Sequence, residues 1–333
     1  MEKINDKGLV CVTGGTGYVT SWLIMRLLQS GYSVNTTINN NLDQEGSSFL
    51  KKLPNASQKL KIFITNPEDP ESFYPAIEGC NGVIIAHSVD FEDTYDDEEI
   101  KIQRSINVIL GILKACLVSK TIKRVIYTSS DATLCFNEGC PDVVDESWWS
   151  DVNFIKKLKP SGFFYCISKT LIEKEAINFG EKCGLDLVCI NHAWVFGPFV
   201  TPQCPILVLR QMPMIIEGNW TNIEYDAGAI PFVHVDDVAR AHIFLLECPK
   251  AKGRYICSCV DVTPDELSQF LRGRYPQYQI PNFDCLKVMT KAFKFPHLSS
   301  KKLLDIGFKY KYNLGDMYDG AIASCKQVGL TLG

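Results

Sequence analysis

A glycine-rich turn after the first apolar run is the feature that most constrains the fold of this chain. Leu9–Thr13 predicts a buried strand, and Gly14 and Gly17 follow it at the spacing of a dinucleotide-binding turn. A helix is predicted directly afterwards, over Ser21–Ser30. In such a unit the glycines let the backbone approach a pyrophosphate, which lies at the positive N-terminus of the helix. The segment therefore predicts a Rossmann-type core.

The same turn departs from its pattern at the last position. Thr20 stands where a third glycine lets the helix pack closely against the strand. Threonine is larger and β-branched, and adding volume at a close backbone contact costs about 1–3 kcal/mol. We therefore expect a nucleotide-binding scaffold in which the nucleotide fits less well.

Strand-like and helical segments alternate through the first two thirds of the chain. This order predicts an α/β fold, a doubly wound parallel sheet with helices on both faces. The predicted core spans residues 1–198 and 231–248, and a smaller C-terminal substrate lobe spans 199–230 and 249–333. The further predicted strands and helices are Ser33–Ile38, Leu60–Ile64, Asn81–Ala86, Ile100–Val118 (helix), Arg124–Tyr127, Tyr165–Phe179 (helix) and Leu185–Asn191.

Composition excludes several classes of partner. The net charge of −4 disfavours nucleic acid, and no window has the apolar length of a membrane span. The fourteen cysteines include no C-x-x-C pair, so we predict reduced thiols and no metal site. We expect a cytoplasmic protein, a monomer or weak homodimer, that acts on a small molecule.

One group of residues indicates acid–base chemistry. Tyr165 and Lys169 lie one helical turn apart on the same predicted face, and a nearby ammonium is expected to lower the pKa of a phenol from about 10. Ser130 follows a predicted strand, where it could bond a substrate carbonyl beside Tyr165. Asn107, in the preceding helix, is expected to order a water that supplies protons to Lys169.

These residues resemble the extended short-chain dehydrogenase/reductases, and more narrowly the plant dihydroflavonol 4-reductase, vestitone reductase and cinnamoyl-CoA reductase group. The sequence segments shared with this group are Gly111–Cys116, Lys123–Ser130, Val233–Ala239 and Gly253–Tyr255. The resemblance covers essentially the whole chain. It implies that Ser130, Tyr165 and Lys169 are catalytic, with Asn107 in support. It also implies reduction of ketones or activated acyl groups of phenolic substrates with NADPH.

The departures from this family fall where its members hold the cofactor. Asn39 stands where relatives carry an arginine that pairs with the 2′-phosphate of NADPH, and asparagine supplies neither that charge nor its bidentate geometry. Asn66 replaces an aspartate that contacts the adenine. His87 and His192 replace smaller or apolar residues near the ribose and the nicotinamide. The remnant cofactor site predicted from the sequence is Gly14, Gly17, Thr20, Asn39 and Asn66.

Retained acid–base residues beside an altered cofactor site favour an enzyme of plant specialised metabolism that works without a redox step and requires no cofactor. Ser130, Tyr165 and Lys169 would catalyse cyclisation, condensation, dehydration or isomerisation of a carbonyl, enol or imine compound. Candidate additional acids or bases are His87, Asp131 and His192. The alternative is a ketone reductase that uses NADPH or NADH, and a third hypothesis is a non-catalytic binding protein.

Overall fold

Seven parallel strands form the central sheet, in the order β10-β7-β5-β4-β1-β2-β3. The computed structural model describes residues 6–39, 47–86, 98–160, 162–212, 215, 229–278, 280 and 295–332. The strands of this sheet are β1 (Leu9–Val12), β2 (Ser33–Asn39), β3 (Leu60–Thr65), β4 (Gly82–Ile85), β5 (Arg124–Ser130), β7 (Leu187–His192) and β10 (Gly253–Cys257).

Two small sheets accompany the central one in the described residues. The first has the order β11-β9-β8, with an antiparallel β11–β9 pair and a parallel β8–β9 pair. The second pairs β12 with β6 in parallel. Their strands are β6 (Val143–Val144), β8 (Trp194–Phe196), β9 (Ile230–His234), β11 (Val260–Val262) and β12 (His297–Leu298).

The helices are numbered here in chain order among the described residues. They are α1 (Tyr18–Gln29), α2 (Ala56–Lys59), α3 (Tyr74–Ile77), α4 (Glu98–Val118), α5 (Val152–Leu158), α6 (Phe163–Cys183), α7 (Ile206–Gln211), α8 (Val235–Glu247), α9 (Pro264–Arg274), α10 (Lys301–Asp305) and α11 (Leu314–Gln327). Short 3-10 turns span Ser47–Lys52, Pro70–Phe73 and Asp131–Thr133.

Both faces of the central sheet are buried, as expected for parallel strands. Val10 and Val12 of β1 point into one apolar cluster, where α1 and α8 cover the sheet. Cys11 lies between them in sequence and points into the opposite cluster, where α4 and α6 pack. This alternation of side chains along a strand confirms the predicted doubly wound α/β fold.

The structure corrects the predicted division of the chain. Gly253–Cys257, which we assigned to the smaller lobe, is the edge strand of the central sheet and pairs in parallel with β7. Four of its five residues are buried, because a strand inside the layered core is covered on both faces. The segment assigned to the core from residue 231 begins instead within β9 (Ile230–His234), a strand of the small β8–β9–β11 sheet.

Element ends also differ from the predictions. Helix α1 begins at Tyr18 rather than Ser21, since Gly17 already adopts the extended conformation of an N-cap. Strand β5 continues through Ser130 instead of ending at Tyr127, because Thr128, Ser129 and Ser130 are buried and pair with β7. Polar residues inside a strand conceal its true end from a hydrophobicity pattern.

The strand order indicates where a ligand crevice lies. The chain progresses in one direction from β1 to β3 and in the other from β4 to β10, so the order reverses between β1 and β4. In open α/β sheets, ligands bind outside the carboxyl ends of the strands at such a point. The glycine turn follows β1 there, and Ser130 and His192 end β5 and β7 at the same edge.

A buried ion pair attaches α6 to the sheet. Glu173 accepts from Arg254 Nε of β10 at 2.7 Å, and both side chains are almost wholly buried. Asn191 Nδ2 of β7 donates to the same carboxylate at 2.8 Å, and the hydroxyl of Ser129 in β5 donates a short hydrogen bond. One glutamate therefore fixes the helix against three neighbouring strands.

Replacing Glu173 with glutamine should destabilise the fold strongly, because Arg254 would remain buried without its counter-charge. We expect the free energy of unfolding, measured with urea at neutral pH, to fall by about 3–5 kcal/mol. The control Glu175→Gln lies on the exposed side of the same helix, and should change it by less than about 0.5 kcal/mol. Equal losses in the two variants would show that the ion pair does not hold the helix.

Candidate active site

The glycine turn has the backbone that a pyrophosphate requires. Gly14 has a φ of +68°, and a Cβ added there would lie 2.9 Å from the carbonyl oxygen of Ala86. A Cβ on Gly15 would lie 2.3 Å from Thr36 Oγ1, so neither position accepts a side chain. Gly17 is exposed at the start of α1, where the first N–H groups of a helix have no partner within it.

Thr20 is accommodated inside this turn. Its side chain is buried, and Oγ1 lies 2.5 Å from the carbonyl oxygen of Gly14 and 3.1 Å from that of Gly17. The hydroxyl therefore bonds carbonyl groups within the turn and leaves the N–H groups of Tyr18 and Val19 at the helix start. The residues present fit a dinucleotide pyrophosphate at this point, despite the missing third glycine.

The predicted adenosine-binding residues lie beyond the ends of β2 and β3. Asn39 is exposed at the last position of β2 and pairs in register with Thr65. Asn66 follows β3 in a tight loop, where its Oδ1 accepts from the N–H of Glu68 at 3.0 Å and its own N–H donates to Ser72 Oγ at 2.9 Å. Both residues offer neutral amide groups to this end of the crevice.

Three of the predicted catalytic residues come together at the carboxyl end of β5. Ser130 is the last residue of that strand, and its hydroxyl hydrogen-bonds the phenol of Tyr165 on α6. Lys169, one turn further along α6, is buried with Nζ 5.9 Å from the centre of the Tyr165 ring. Its ammonium donates to the carbonyl oxygen of Thr128 at 3.2 Å.

The predicted decrease in the Tyr165 pKa is wrong for this structure. Burial raises the pKa of Tyr165 well above its usual value, and the nearby charge of Asp131 raises it further, while the Ser130 hydrogen bond partly offsets both. Burial also lowers the pKa of Lys169, to about 8, because an ammonium loses its hydration there. The phenol is therefore protonated at neutral pH.

Asp131 directly follows Ser130 and extends this hydrogen-bonded chain. Ser130 Oγ donates to Asp131 Oδ1 at 2.9 Å and can therefore accept the proton of the Tyr165 hydroxyl. Asp131 is only 8 % exposed, and its Oδ2 is buried with no hydrogen-bond partner. Burial raises its pKa to about 6, although hydrogen bonds from Ser130 and backbone N–H groups act in the opposite direction.

His192 also lies at this edge, opposite Ser130 in the register of β5 and β7. Its Nδ1 is 2.9 Å from the carbonyl oxygen of Ala193, a contact that places the proton on Nδ1 and leaves Nε2 as an acceptor. Burial, with Lys169 nearby, lowers its pKa to about 4, so the ring is neutral at pH 7. The third predicted acid or base, His87, lies outside the described residues.

The structure places Asn107 apart from this group. Its side chain is exposed on α4, and its Oδ1 accepts from Gln103 at 3.0 Å. Gly111, one turn further on the same face, lies against Pro70 beyond β3. The expected role of Asn107 beside Lys169 therefore has no support in this arrangement.

Two contacts escaped the sequence analysis. The carbonyl oxygen of Thr128 holds Lys169, but a backbone acceptor has no sequence signature. Glu173 lies four residues after Lys169 and raises the lysine pKa against the effect of burial. Its position on the same helical face as Tyr165 and Lys169 was the available signal.

A metal site or a membrane segment is not visible in the described part of the chain. There, no three histidine, cysteine, aspartate or glutamate side chains are grouped to hold a metal ion. No helix in these residues is both long and apolar enough to cross a membrane. The described cysteines have free thiols.

Comparison with known proteins assigns the family. Residues 10–257 match the model of the NAD dependent epimerase/dehydratase family. The chain belongs to that family. This match confirms the predicted membership of the extended short-chain dehydrogenase/reductases, which the curated relatives narrow to a plant reductase group.

Two plant relatives match this family member along nearly all of its length. It is 47% identical to vestitone reductase of Medicago sativa over 327 residues, 97% of this chain and 98% of the relative. It is 40% identical to dihydroflavonol 4-reductase of Arabidopsis thaliana over 330 residues, 98% of this chain and 84% of the relative. The crystal structure of alfalfa vestitone reductase superimposes with a TM-score of 0.87 at 45% identity, covering 98% of this chain and all of that one.

Asp131 should make the stability of this family member depend on pH. The folded state favours the protonated carboxyl, since the pKa rises from the ordinary 3.8 to about 6. The folded protein therefore binds more protons than the unfolded chain between these values, and stability falls as the pH rises through them. The difference corresponds to about 3 kcal/mol at pH 7.

We expect Asp131→Asn to abolish this loss. The unfolding free energy of the variant minus that of the wild type should increase by about 2.4 kcal/mol from pH 4 to pH 7 in urea titrations. Tyr165, Cys166 and Cys135 feel the Asp131 charge, but burial raises the pKa of each, so none titrates in this range. A constant difference across this pH range would contradict the raised pKa.

Proposed function

We propose that this protein is an NAD(P)H-dependent reductase of a ketone on an aromatic, phenolic substrate. Support comes from the activities that give its plant relatives their names, vestitone reductase and dihydroflavonol 4-reductase. These relatives match nearly the whole chain, including the segments that carry Ser130, Tyr165 and Lys169. The reductase interpretation thus replaces the redox-neutral hypothesis as the leading one.

The observation that carries this proposal is the hydrogen bond between Ser130 and the Tyr165 phenol, whose pKa is raised by burial. Reduction of a ketone places negative charge on its oxygen, which then needs a proton donor and hydrogen bonds. A protonated phenol meets that need, whereas a phenolate would suit proton abstraction. Lys169, with a pKa of about 8, can resupply a proton to this hydrogen-bonded group near neutral pH.

The cofactor would occupy the crevice beside the glycine turn. Its pyrophosphate would bind the free N–H groups at the start of α1, and its adenosine would lie toward Asn39 and Asn66. When bound, a reduced nicotinamide supplies the hydride for the carbonyl carbon. The protein residues position the substrate oxygen and deliver the proton to it.

Asn39 favours NADH over NADPH. It occupies the end of β2, where a 2′-phosphate would need a cation, and the sequence has no lysine or arginine between Arg26 and Lys51. A charge-assisted hydrogen bond contributes about 1.5–3 kcal/mol, or roughly tenfold to a hundredfold in affinity. The wild type lacks this contribution, and a neutral 2′-hydroxyl does not require it.

Calorimetric titration should therefore show that the wild type binds NADH at least as tightly as NADPH. Asn39→Arg should shift the ratio of the two dissociation constants roughly tenfold or more toward NADPH. Thr20→Gly should not tighten binding of either cofactor, because Thr20 bonds within the turn. Asn178→Arg, which adds the same charge on the exposed side of α6, is the control and should leave the ratio unchanged.

Tyr165→Phe removes the phenolic proton and retains the ring. We expect kcat/KM for reduction of vestitone or a dihydroflavonol to fall by about 10²–10⁴-fold, measured by product formation and by oxidation of the reduced cofactor. Tyr74→Phe, in the helix before β4, should retain full activity. Full activity in Tyr165→Phe would exclude this residue as the proton donor.

A second candidate is redox-neutral chemistry with Asp131 as the base. The observation that favours it is the free Oδ2 of a carboxylate whose pKa is about 6, close to the value of an efficient base at neutral pH. The replacements at Thr20, Asn39 and Asn66 are consistent with it. Absence of calorimetric binding of both cofactors, together with product formation that consumes neither, would favour this candidate over the reductase.

A further inference from the structure

All but one of the buried carboxylates in the described part of the chain pair with an arginine. Four acidic side chains there are buried: Asp131, Glu173, Asp236 and Asp237. Three of them pair with an arginine: Glu173 with Arg254 at 2.7 Å, Asp236 with Arg26 at 2.9 Å and Asp237 with Arg240 at 2.5 Å. Asp131 has no such partner.

The surroundings of Asp131 confirm this difference. Ser130 and backbone N–H groups supply neutral hydrogen bonds to the carboxylate, and Oδ2 has no partner. The ammonium of Lys169 donates to the carbonyl oxygen of Thr128 instead. A buried charge without a partner is costly, so such a group is expected where a ligand brings the missing charge.

We propose that Asp131 binds a protonated amine of the substrate through its free Oδ2. This inference rests on the proposed function in one respect, namely that the Tyr165 phenol donates its proton to the substrate carbonyl. A neutral hydroxyl would complete the hydrogen bonding of Oδ2 but leave the negative charge uncompensated. A protonated amine completes the hydrogen bonding and also compensates the charge, as the arginines do for the other three carboxylates.

The position of Asp131 specifies where on the substrate the amine lies. Its Oδ1 is 2.9 Å from Ser130 Oγ, and Oδ2 belongs to the same carboxylate group. A ligand nitrogen on Oδ2 therefore lies on the same side of the site as a carbonyl oxygen held by the Tyr165 phenol, which is hydrogen-bonded to Ser130. The substrate class is an aromatic ketone with a basic nitrogen a bond or two from the carbonyl carbon.

Three small ketones test this assignment. α-Dimethylaminoacetophenone carries a protonated amine beside the carbonyl, and isovalerophenone is its neutral isostere. α-Hydroxyacetophenone supplies a neutral donor at the same position. Equilibrium dissociation constants for the three are measured by calorimetry at pH 7 without cofactor, for the wild type, Asp131→Asn and the charge-matched surface control Glu175→Gln.

The wild type and Glu175→Gln should bind the amine roughly tenfold or more tightly than its isostere, and this ratio should fall to about one in Asp131→Asn. An amine that binds no more tightly than isovalerophenone in the wild type overturns the proposal, as does a ratio that survives in Asp131→Asn. Equal preference for the hydroxyl and amine ligands also overturns it, in favour of a neutral donor.

A second measurement needs no ligand. If the Asp131 charge is uncompensated in the free protein, Asp131→Asn should raise the melting temperature at pH 7, whereas Glu173→Gln, which breaks a complete pair, should lower it. A decrease in both variants would show that the fold already compensates Asp131 and would overturn the proposal.

Turnover with reduced cofactor is recorded separately for the same three ketones. Selective binding of the amine without its reduction would count against the reductase and leave the amine site intact. Reduction of all three ketones, with equal dissociation constants, would overturn the amine site and leave the reductase proposal intact.

Discussion

The buried ion pair between Glu173 and Arg254 is the interaction on which the arrangement of the site depends. Through Arg254, Ser129 and Asn191 it joins α6 to strands β10, β5 and β7. That helix carries Tyr165 and Lys169, and β5 ends at Ser130. The distance between the phenol and the serine is thus set by a contact below the crevice, in the dry interior, where the arginine satisfies the charge of the carboxylate.

The charged groups nearer the crevice have no such counter-charge. Toward the crevice, Lys169 is buried against a backbone carbonyl, with its pKa lowered, and Asp131 is buried with one oxygen unpaired and its pKa raised. Both shifts have one cause, the loss of water around an ionised group. Such groups concentrate where a ligand completes the environment, and here they adjoin the Tyr165 phenol.

The structure gives weaker grounds than the sequence for the loss of the cofactor site. Thr20 was expected to obstruct the nucleotide, but its hydroxyl bonds carbonyl groups inside the turn, and the N–H groups of the helix start remain. Asn39 still supplies no cation at the end of β2. The turn is compatible with a dinucleotide site, as is the match to the NAD dependent epimerase/dehydratase family.

The sequence by itself determined the α/β fold, the turn at Gly14 and Gly17, and the grouping of Ser130, Tyr165 and Lys169, because hydrophobic period and residue spacing are local properties of a chain. Tertiary structure decided what depends on distant neighbours. Burial reversed the expected direction of the Tyr165 pKa, and helix α4 turned Asn107 to its exposed side. Pairing with β7 moved Gly253–Cys257 into the central sheet. Only packing revealed that Asp131 lacks a counter-charge, since compensation is a property of the space around a residue.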